Sequence, residues 1–373
     1  MLLRFPEGSV RYRYQCGVTR RFSVPCCLLV LSSAGVGESV AQEVVETPQL
    51  VRTHRHSDLF GIRRAAFHGE AVAVLANPSP GVFLFEPDGD VKSWGTRGDG
   101  PSELRNPGDV FWINGRVLVW DFDLLKLASY DADGELTATR RFAGTRSWRV
   151  SASAGDTLVS LFPAGSIGTR VVRQAGSTRH LLTTLPLAAE AVTLRAEGSP
   201  SLTRPAPFSP LATWSSHSSN GIVVWDGESQ HLQHIDREGE VVGHLPLPTD
   251  RYPVTRAERE AWVDRTLPSG DFAGRGDIFK PLREAAGSQL SFPEWHPLVY
   301  ELISDPTGGV WVRRTSSATD EAVWVYVDER GPAVTLRFPS GRELLAVSAT
   351  EMVVKARDAM DVELIEIYER PDT

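Results

Sequence analysis

Cysteine is nearly missing: the 373-residue chain has three, Cys16, Cys26 and Cys27, all before residue 30 and ahead of the part that reads as folded. The folded part thus offers no thiol nucleophile, disulfide framework or Cys-ligated zinc. Lysine is scarce as well. Its four copies, Lys92, Lys126, Lys280 and Lys355, follow no glycine-rich run, so no phosphate-binding loop is written here. There is no H-E-x-x-H zinc helix and no G-x-S-x-G nucleophile turn. The 39 basic and 47 acidic residues sum to −8 and form no basic stripe, which argues against nucleic acid or anionic lipid as the main partner.

What is present begins with an export signal. Arg20 and Arg21 precede the apolar run Val24-Pro-Cys-Cys-Leu-Leu-Val-Leu31, which gives way to small residues and then to Ser39-Val-Ala41 before Gln42. That is the charged start, apolar core and A-x-A-like site of a secretory leader. A bilayer-spanning helix needs about 20 apolar residues, more than twice this run. Residues 1–41 are therefore expected to be a signal peptide, and 42–373 an exported chain, periplasmic or secreted, with no membrane span in its mature form. Cleavage removes Arg4, Arg11, Arg13, Arg20 and Arg21 with Glu7 and Glu38, leaving 34 basic and 45 acidic residues, a net of −11. The mature chain is acidic and free of cysteine, and a monomer is expected.

The rest repeats one phrase. Gly115-Arg-Val-Leu-Val-Trp-Asp121 leading to Ala128-Ser-Tyr-Asp-Ala-Asp-Gly134-Glu superimposes without a gap on Gly221-Ile-Val-Val-Trp-Asp226 leading to His234-Ile-Asp-Arg-Glu-Gly239-Glu. Alternating apolar strands closed by an Asp/Gly turn are the mark of antiparallel hairpins. The turn glycines fall at 89, 134, 176, 239 and 331, and the first two intervals, 45 and 42 residues, match a four-stranded propeller blade. The longer intervals imply insertions. A last unit, Leu344 to Glu369, supplies only three strands, and Val44–Val51 is expected to complete it and close the ring. The expected fold is all-β: a six-bladed β-propeller of four-stranded antiparallel blades, with a short helical insertion (249–296) between blades four and five. A pair of β-sandwiches is the alternative.

Gly95-Thr-Arg-Gly-Asp-Gly-Pro-Ser-Glu-Leu-Arg-Asn-Pro107 resembles the glycine-rich signature between blades of NHL-repeat propellers. Pro207-Phe-Ser-Pro210, Tyr252-Pro-Val-Thr-Arg-Ala-Glu-Arg-Glu-Ala-Trp262 and Phe292-Pro-Glu are similar to segments of a group of exported bacterial six-bladed propellers. The resemblance spans about residues 45–370. It departs at Leu104, where the signature has Phe, and at His217-Ser-Ser-Asn220, where a D-x-x-G turn is usual. It implies a fold and little chemistry, because propellers host binders, lyases and hydrolases alike.

Blade topology sorts the loops onto two faces. Tight Asp-Gly turns at 88–89, 131–134 and 236–239 share one; the signature loop 95–108, the stretch 187–209 and the 249–296 insertion share the other, which is the expected binding face. Thr255-Arg-Ala-Glu258 has the spacing of a capping box, and Ala257, Ala261, Trp262 and Leu267 continue an apolar stripe that Pro268 ends. That helix either packs on the ring or lids the channel mouth.

Asp131-Ala-Asp-Gly134-Glu has the flavour of a calcium loop, but its counterparts in other units mark it as a hairpin turn. His231 and His234 point to opposite sides of a strand and cannot share a metal, and His54 and His56 read as exposed link residues. Asp121, Asp226 and Arg313 end second strands at the decorated face, beside Trp120, Trp225 and Trp311. The candidate ligand contacts are these three with Arg97, Asp99 and Arg105 of the signature loop, and His217. No catalytic residue, metal ligand or cofactor is assigned. Two functions stay open. One is an exported scaffold binding a small molecule, glycan, peptide or partner protein at the decorated face. The alternative is a lactonase-type hydrolase or amidating-lyase-type enzyme, which needs a channel metal. Enzymatic activity is left uncertain, with binding favoured because the innermost strands, around Phe111, Arg149, Ala212 and Leu302, are poor in ligating side chains.

Overall fold

The computed structural model describes residues 44–373 except 47, 78–80, 143–148, 154–155, 162–167, 176–177, 187–190, 198–200, 219–220, 271–276 and 316–320. The expected signal peptide lies outside the described residues. Two short strands come first, β1 (Val44–Glu46) and β2 (Leu50–His54). Three antiparallel meanders follow: β3 (Ile62–His68), β4 (Ala71–Ala76), β5 (Val82–Phe85) and β6 (Val91–Trp94); β7 (Pro107–Ile113), β8 (Arg116–Asp121), β9 (Lys126–Tyr130) and β10 (Leu136–Arg141); β11 (Val150–Ser153), β12 (Asp156–Leu161), β13 (Gly168–Ala175) and β14 (Thr178–Pro186). A separate hairpin, β15 (Ala191–Leu194) and β16 (Leu202–Pro205), precedes a fourth meander of β17 (Thr213–His217), β18 (Gly221–Trp225), β19 (His231–Ile235) and β20 (Val241–Pro246). Helices α1 (Arg256–Thr266) and α2 (Lys280–Gln289) lead to β21 (Glu301–Ser304), β22 (Val310–Arg313), β23 (Ala322–Asp328) and β24 (Gly331–Phe338), and the chain ends with β25 (Glu343–Val347), β26 (Glu351–Arg357) and β27 (Glu363–Glu369). The architecture is an all-β propeller with four-stranded antiparallel blades.

The amino-terminal segment divides where one strand was expected. β2 pairs antiparallel with β27 as the fourth strand of the last sheet, while β1 lies parallel to β24 as the fifth strand of the sheet before it. Pro48, between them, has no N–H to give to a ladder.

Each middle strand is apolar on both sides because both sides are covered. Along β4, Val72 and Val74 face a cluster shared with β25–β27, while Ala73 and Leu75 face one shared with the β7–β10 sheet. Along β18, Ile222 and Val224 face the β11–β14 sheet, and Val223 and Trp225 face the β21–β24 sheet. Strand alternation therefore distributes one continuous apolar run between two interfaces. Apart from the β15–β16 hairpin, every pair of consecutive sheets, including last and first, shares such a cluster. The innermost strands contact one another in the order β3, β7, β11, β17, β21, β25 and back to β3, and so surround a channel.

The repeated turns share one chemistry. Asp131 Oδ1 accepts the amides of Asp133 and Glu135, Asp236 Oδ1 those of Glu238 and Glu240, and Gly134 and Gly239 take φ of +82° and +93°. An Asp hydrogen-bonding forward and a glycine with positive φ are what such hairpins require.

Candidate functional site

The innermost strands line a cavity of about 430 Å³. Ionisable side chains gather where these strands begin. Arg64 bridges Asp109 at 3.5 Å and Glu301 at 3.3 Å. Arg149 donates to the Leu302 carbonyl at 3.0 Å and the Thr213 hydroxyl at 3.4 Å, while the Val150 amide donates to Asp109 at 2.9 Å. Arg313 reaches Glu301 at 3.4 Å and Glu343 at 3.9 Å, and Lys355 reaches Glu343 at 3.3 Å. Burial pushes the Asp109 carboxyl above its ordinary range, although Arg64 and the Val150 amide pull it back. Burial also lowers Arg149, helped by the charge of Arg64. At Arg64 burial works in the same direction, but Glu301, Asp109 and Glu343 outweigh it and raise the guanidinium.

Further along the channel the lining turns to hydroxyls. Ser304 lies 2.8 Å from Ser215 and 2.9 Å from Ser216, and Ser151 donates to Ser216 at 3.1 Å. His217 sits at the end of β17, four residues and so roughly 13 Å along the strand from Thr213. Its Nε2 contacts the Gly308 carbonyl at 3.1 Å and its ring lies 4.1 Å from that of His234. Burial lowers both imidazoles, and the His234 charge lowers His217 further.

A second cavity, about 370 Å³, opens beside α1. Tyr300 and Arg313 line it with Phe208 and Trp262, and Arg204 and Arg265 stand around it. α1 is held there by its own cap. Glu258 accepts from the Thr255 amide and hydroxyl, each at 3.0 Å, as the capping-box spacing predicts. The same carboxylate accepts from His296 Nε2 at 3.0 Å, and His296 Nδ1 is hydrogen-bonded to the Tyr300 hydroxyl. A carboxylate only accepts, so Nε2 carries a proton, and in the neutral ring Nδ1 accepts from the phenol. Burial opposes ionisation of Glu258, yet the His296 and Thr255 hydrogen bonds hold its pKa low. Tyr300 is raised by burial and by Glu258's charge.

The residues singled out from the sequence are not all brought together. Arg313 lines the second cavity and His217 the far part of the channel. Neither cavity is lined by Arg97, Asp99, Arg105, Asp121 or Asp226. Arg97 is exposed; Asp99 and Arg105 pair with each other. Asp121 is fully buried and accepts the backbone amides of Arg105, Asn106, Asp123 and Leu124. Asp226 accepts the amides of Glu228 and Ser229 and the Ser229 hydroxyl. Glu103 orders the signature loop through the Gly100 amide at 2.7 Å, and buried Lys126 donates to the carbonyls of Gly100, Pro101 and Glu103. Sequence reasoning missed Arg64, Asp109, Glu301, Glu343 and Lys355. For all but Lys355 of β26 the available signal was positional: an ionisable residue within the first three positions of β3, β7, β21 and β25.

Among the described residues no group of three or more His, Cys, Asp or Glu side chains is placed to hold a metal ion, and no helix is long and apolar enough to cross a membrane.

The fold and its channel place the chain in the β-propeller class. Among solved structures it is similar to a candidate exported protein of Bacteroides fragilis, with 10% identity, a TM-score of 0.52, and 89% of this chain and 99% of that one covered. It is also similar to a gluconolactonase of Xanthomonas campestris (11% identity, TM-score 0.47, 87% and 95% covered) and a virginiamycin B lyase of Staphylococcus aureus (8%, 0.46, 85% and 98%). No family model and no curated protein matches the chain.

Proposed function

We propose that this chain is an exported scaffold whose ring has six units, the sheet that also carries β1 counting as one, and that it binds a small polar ligand or glycan at the mouth where the innermost strands begin. The observation that carries this reading is the set of oppositely charged side chains, Arg64, Arg149, Asp109 and Glu301, bordering one cavity. Paired charges in a concave, partly dry site offer directed donors and acceptors to a polar molecule. The six-unit count is supported by the cyclic order of the innermost strands and by the cluster shared between each pair of neighbours. The enzymatic alternative stays second, since at identities of 8% to 11% the lyase and lactonase likenesses bear on fold alone.

A thermal-shift screen of sugars, short peptides and lactones tests the reading. A ligand at 100 times its Kd adds about 2.7 kcal/mol to native-state stability, which is a rise of several degrees. The rise should vanish in Arg64→Gln and Glu301→Gln and persist in Arg97→Ala. A hit that survives both mouth substitutions would move the site elsewhere.

A further inference from the structure

Among the described residues the cavity beside α1 shares no lining residue with the channel, although its Arg313 pairs with Glu301 at the channel mouth. Two of its arginines come from different elements, Arg204 from β16 and Arg265 from the last turn of α1. Neither has a carboxylate within ion-pair distance among the described residues, although this chain has eight more acidic than basic residues. Arg204 donates only to the carbonyl of neighbouring Thr203, at 3.4 Å. The carbonyls ending α1 favour a cation at Arg265 but leave its charge unneutralised. An anion seated between two such cations would be attracted to both.

Three of the other lining residues are aromatic, Phe208, Trp262 and Tyr300, and they stand beside Leu211, Val299 and a third arginine, Arg313. Tyr300 is fixed by the His296–Glu258 relay and has the Arg313 guanidinium 5.8 Å from its ring centre. Phe208 is held at φ +53°, a left-handed conformation that a bulky side chain rarely adopts, with its ring edge-on to His296 at 5.3 Å. Backbone strain of this kind persists where surrounding structure over-determines it, and it clusters at ligand sites. The Phe208 ring is buried against Phe292 and His296 and also forms part of the cavity wall.

We propose that this cavity is a binding site for a small aromatic carboxylate, its anionic group between Arg204 and Arg265 and its ring against Trp262 and Phe208. Calorimetric titration with indole-3-acetate, its neutral amide indole-3-acetamide, acetate and inorganic phosphate tests both halves. Indole-3-acetate should saturate a single site, with the amide at least about tenfold weaker, the size expected for a lost charge-assisted contact. Acetate and phosphate should bind more weakly still, because they have no ring to stack. The double variant Arg204→Gln, Arg265→Gln should reduce indole-3-acetate affinity about tenfold or more while retaining the wild-type unfolding midpoint, since both side chains are exposed. Trp262→Ala should weaken indole-3-acetate but not phosphate. The proposal is overturned if the amide binds as well as the acid, if the arginine variant binds like wild type, or if no saturable binding of indole-3-acetate, phenylacetate or benzoate is found up to millimolar concentration. Phosphate binding equal to that of indole-3-acetate would overturn the aromatic half.

Discussion

Asp121 and Asp226 end the same repeated phrase, but their environments set different consequences. Asp121 is fully buried and accepts four backbone amides, those of Arg105 and Asn106 in the signature loop and those of Asp123 and Leu124 in the turn after β8, so it ties the two together. Asp121→Ala strands those donors, and a loss of about 2–4 kcal/mol is expected in urea unfolding. Asp226 is half-buried and holds only its own turn, so Asp226→Ala should lose about 1–2 kcal/mol. Equal losses would contradict this ranking. The His217–His234 pair sets a pH response. Both imidazoles are held below their ordinary value in the folded chain, while the unfolded chain takes up their protons near pH 6.5. Their contribution is therefore present above about 6.5 and is lost as pH falls through the lower folded values. The melting midpoint should drop between pH 7 and 5, and His234→Phe should flatten that drop. Asp109 has the opposite sign, since a raised carboxyl favours the folded chain at low pH and its benefit fades as pH rises. Asp109→Asn removes it and leaves the histidine response intact.

Among elements, β2 and α1 carry the most consequence for their size. β2 covers the edge of β27, and Arg52 ties it to Glu351 of β26. Deleting residues 44–54 uncovers two sheet edges, β27 and β24, which are templates for pairing with another chain. The deletion should lower the melting midpoint by several degrees and raise light scattering, whereas removing the exposed carboxyl-terminal residues Asp372 and Thr373 should do neither. For α1, Glu258 is both the capping-box residue and the anchor of the His296–Tyr300 relay. Thr255→Ala disturbs only the cap, about 1 kcal/mol, so Glu258→Ala should be the more damaging by urea unfolding. The capping box was legible because its partners are three residues apart. The relay was not, because Glu258 and His296 are 38 residues apart and meet only when the segment after α2 returns beneath the helix.

For the whole molecule, the leader and the ring make separate claims. If residues 1–41 are a cleaved signal, intact mass of protein recovered from the periplasm or medium should correspond to a chain beginning at Gln42. Recovery of the full-length chain from the cytoplasm would refute the proposed export.

Local chemistry settled much of this protein before any tertiary contact was known. Apolar runs in β4, β8 and β18 must be covered on both sides, Asp131 and Asp236 must turn the chain, and Thr255 with Glu258 must start a helix; each follows from residues within a few positions of one another. Which charges share a cavity does not. Arg64, Asp109 and Glu301 lie in three sheets and Arg149 directly precedes a fourth; together they span 237 residues of chain, and each taken alone reads as an ordinary polar residue in or beside a strand. Only the cyclic packing of the innermost strands brings their first positions together. The same packing kept Asp121 for the loop beside it, because its buried oxygens find four amide donors closer than any cavity. Short-range rules determine turns, caps and the periodicity of burial, whereas a site assembled across sheets is decided by where the ring places its strand ends.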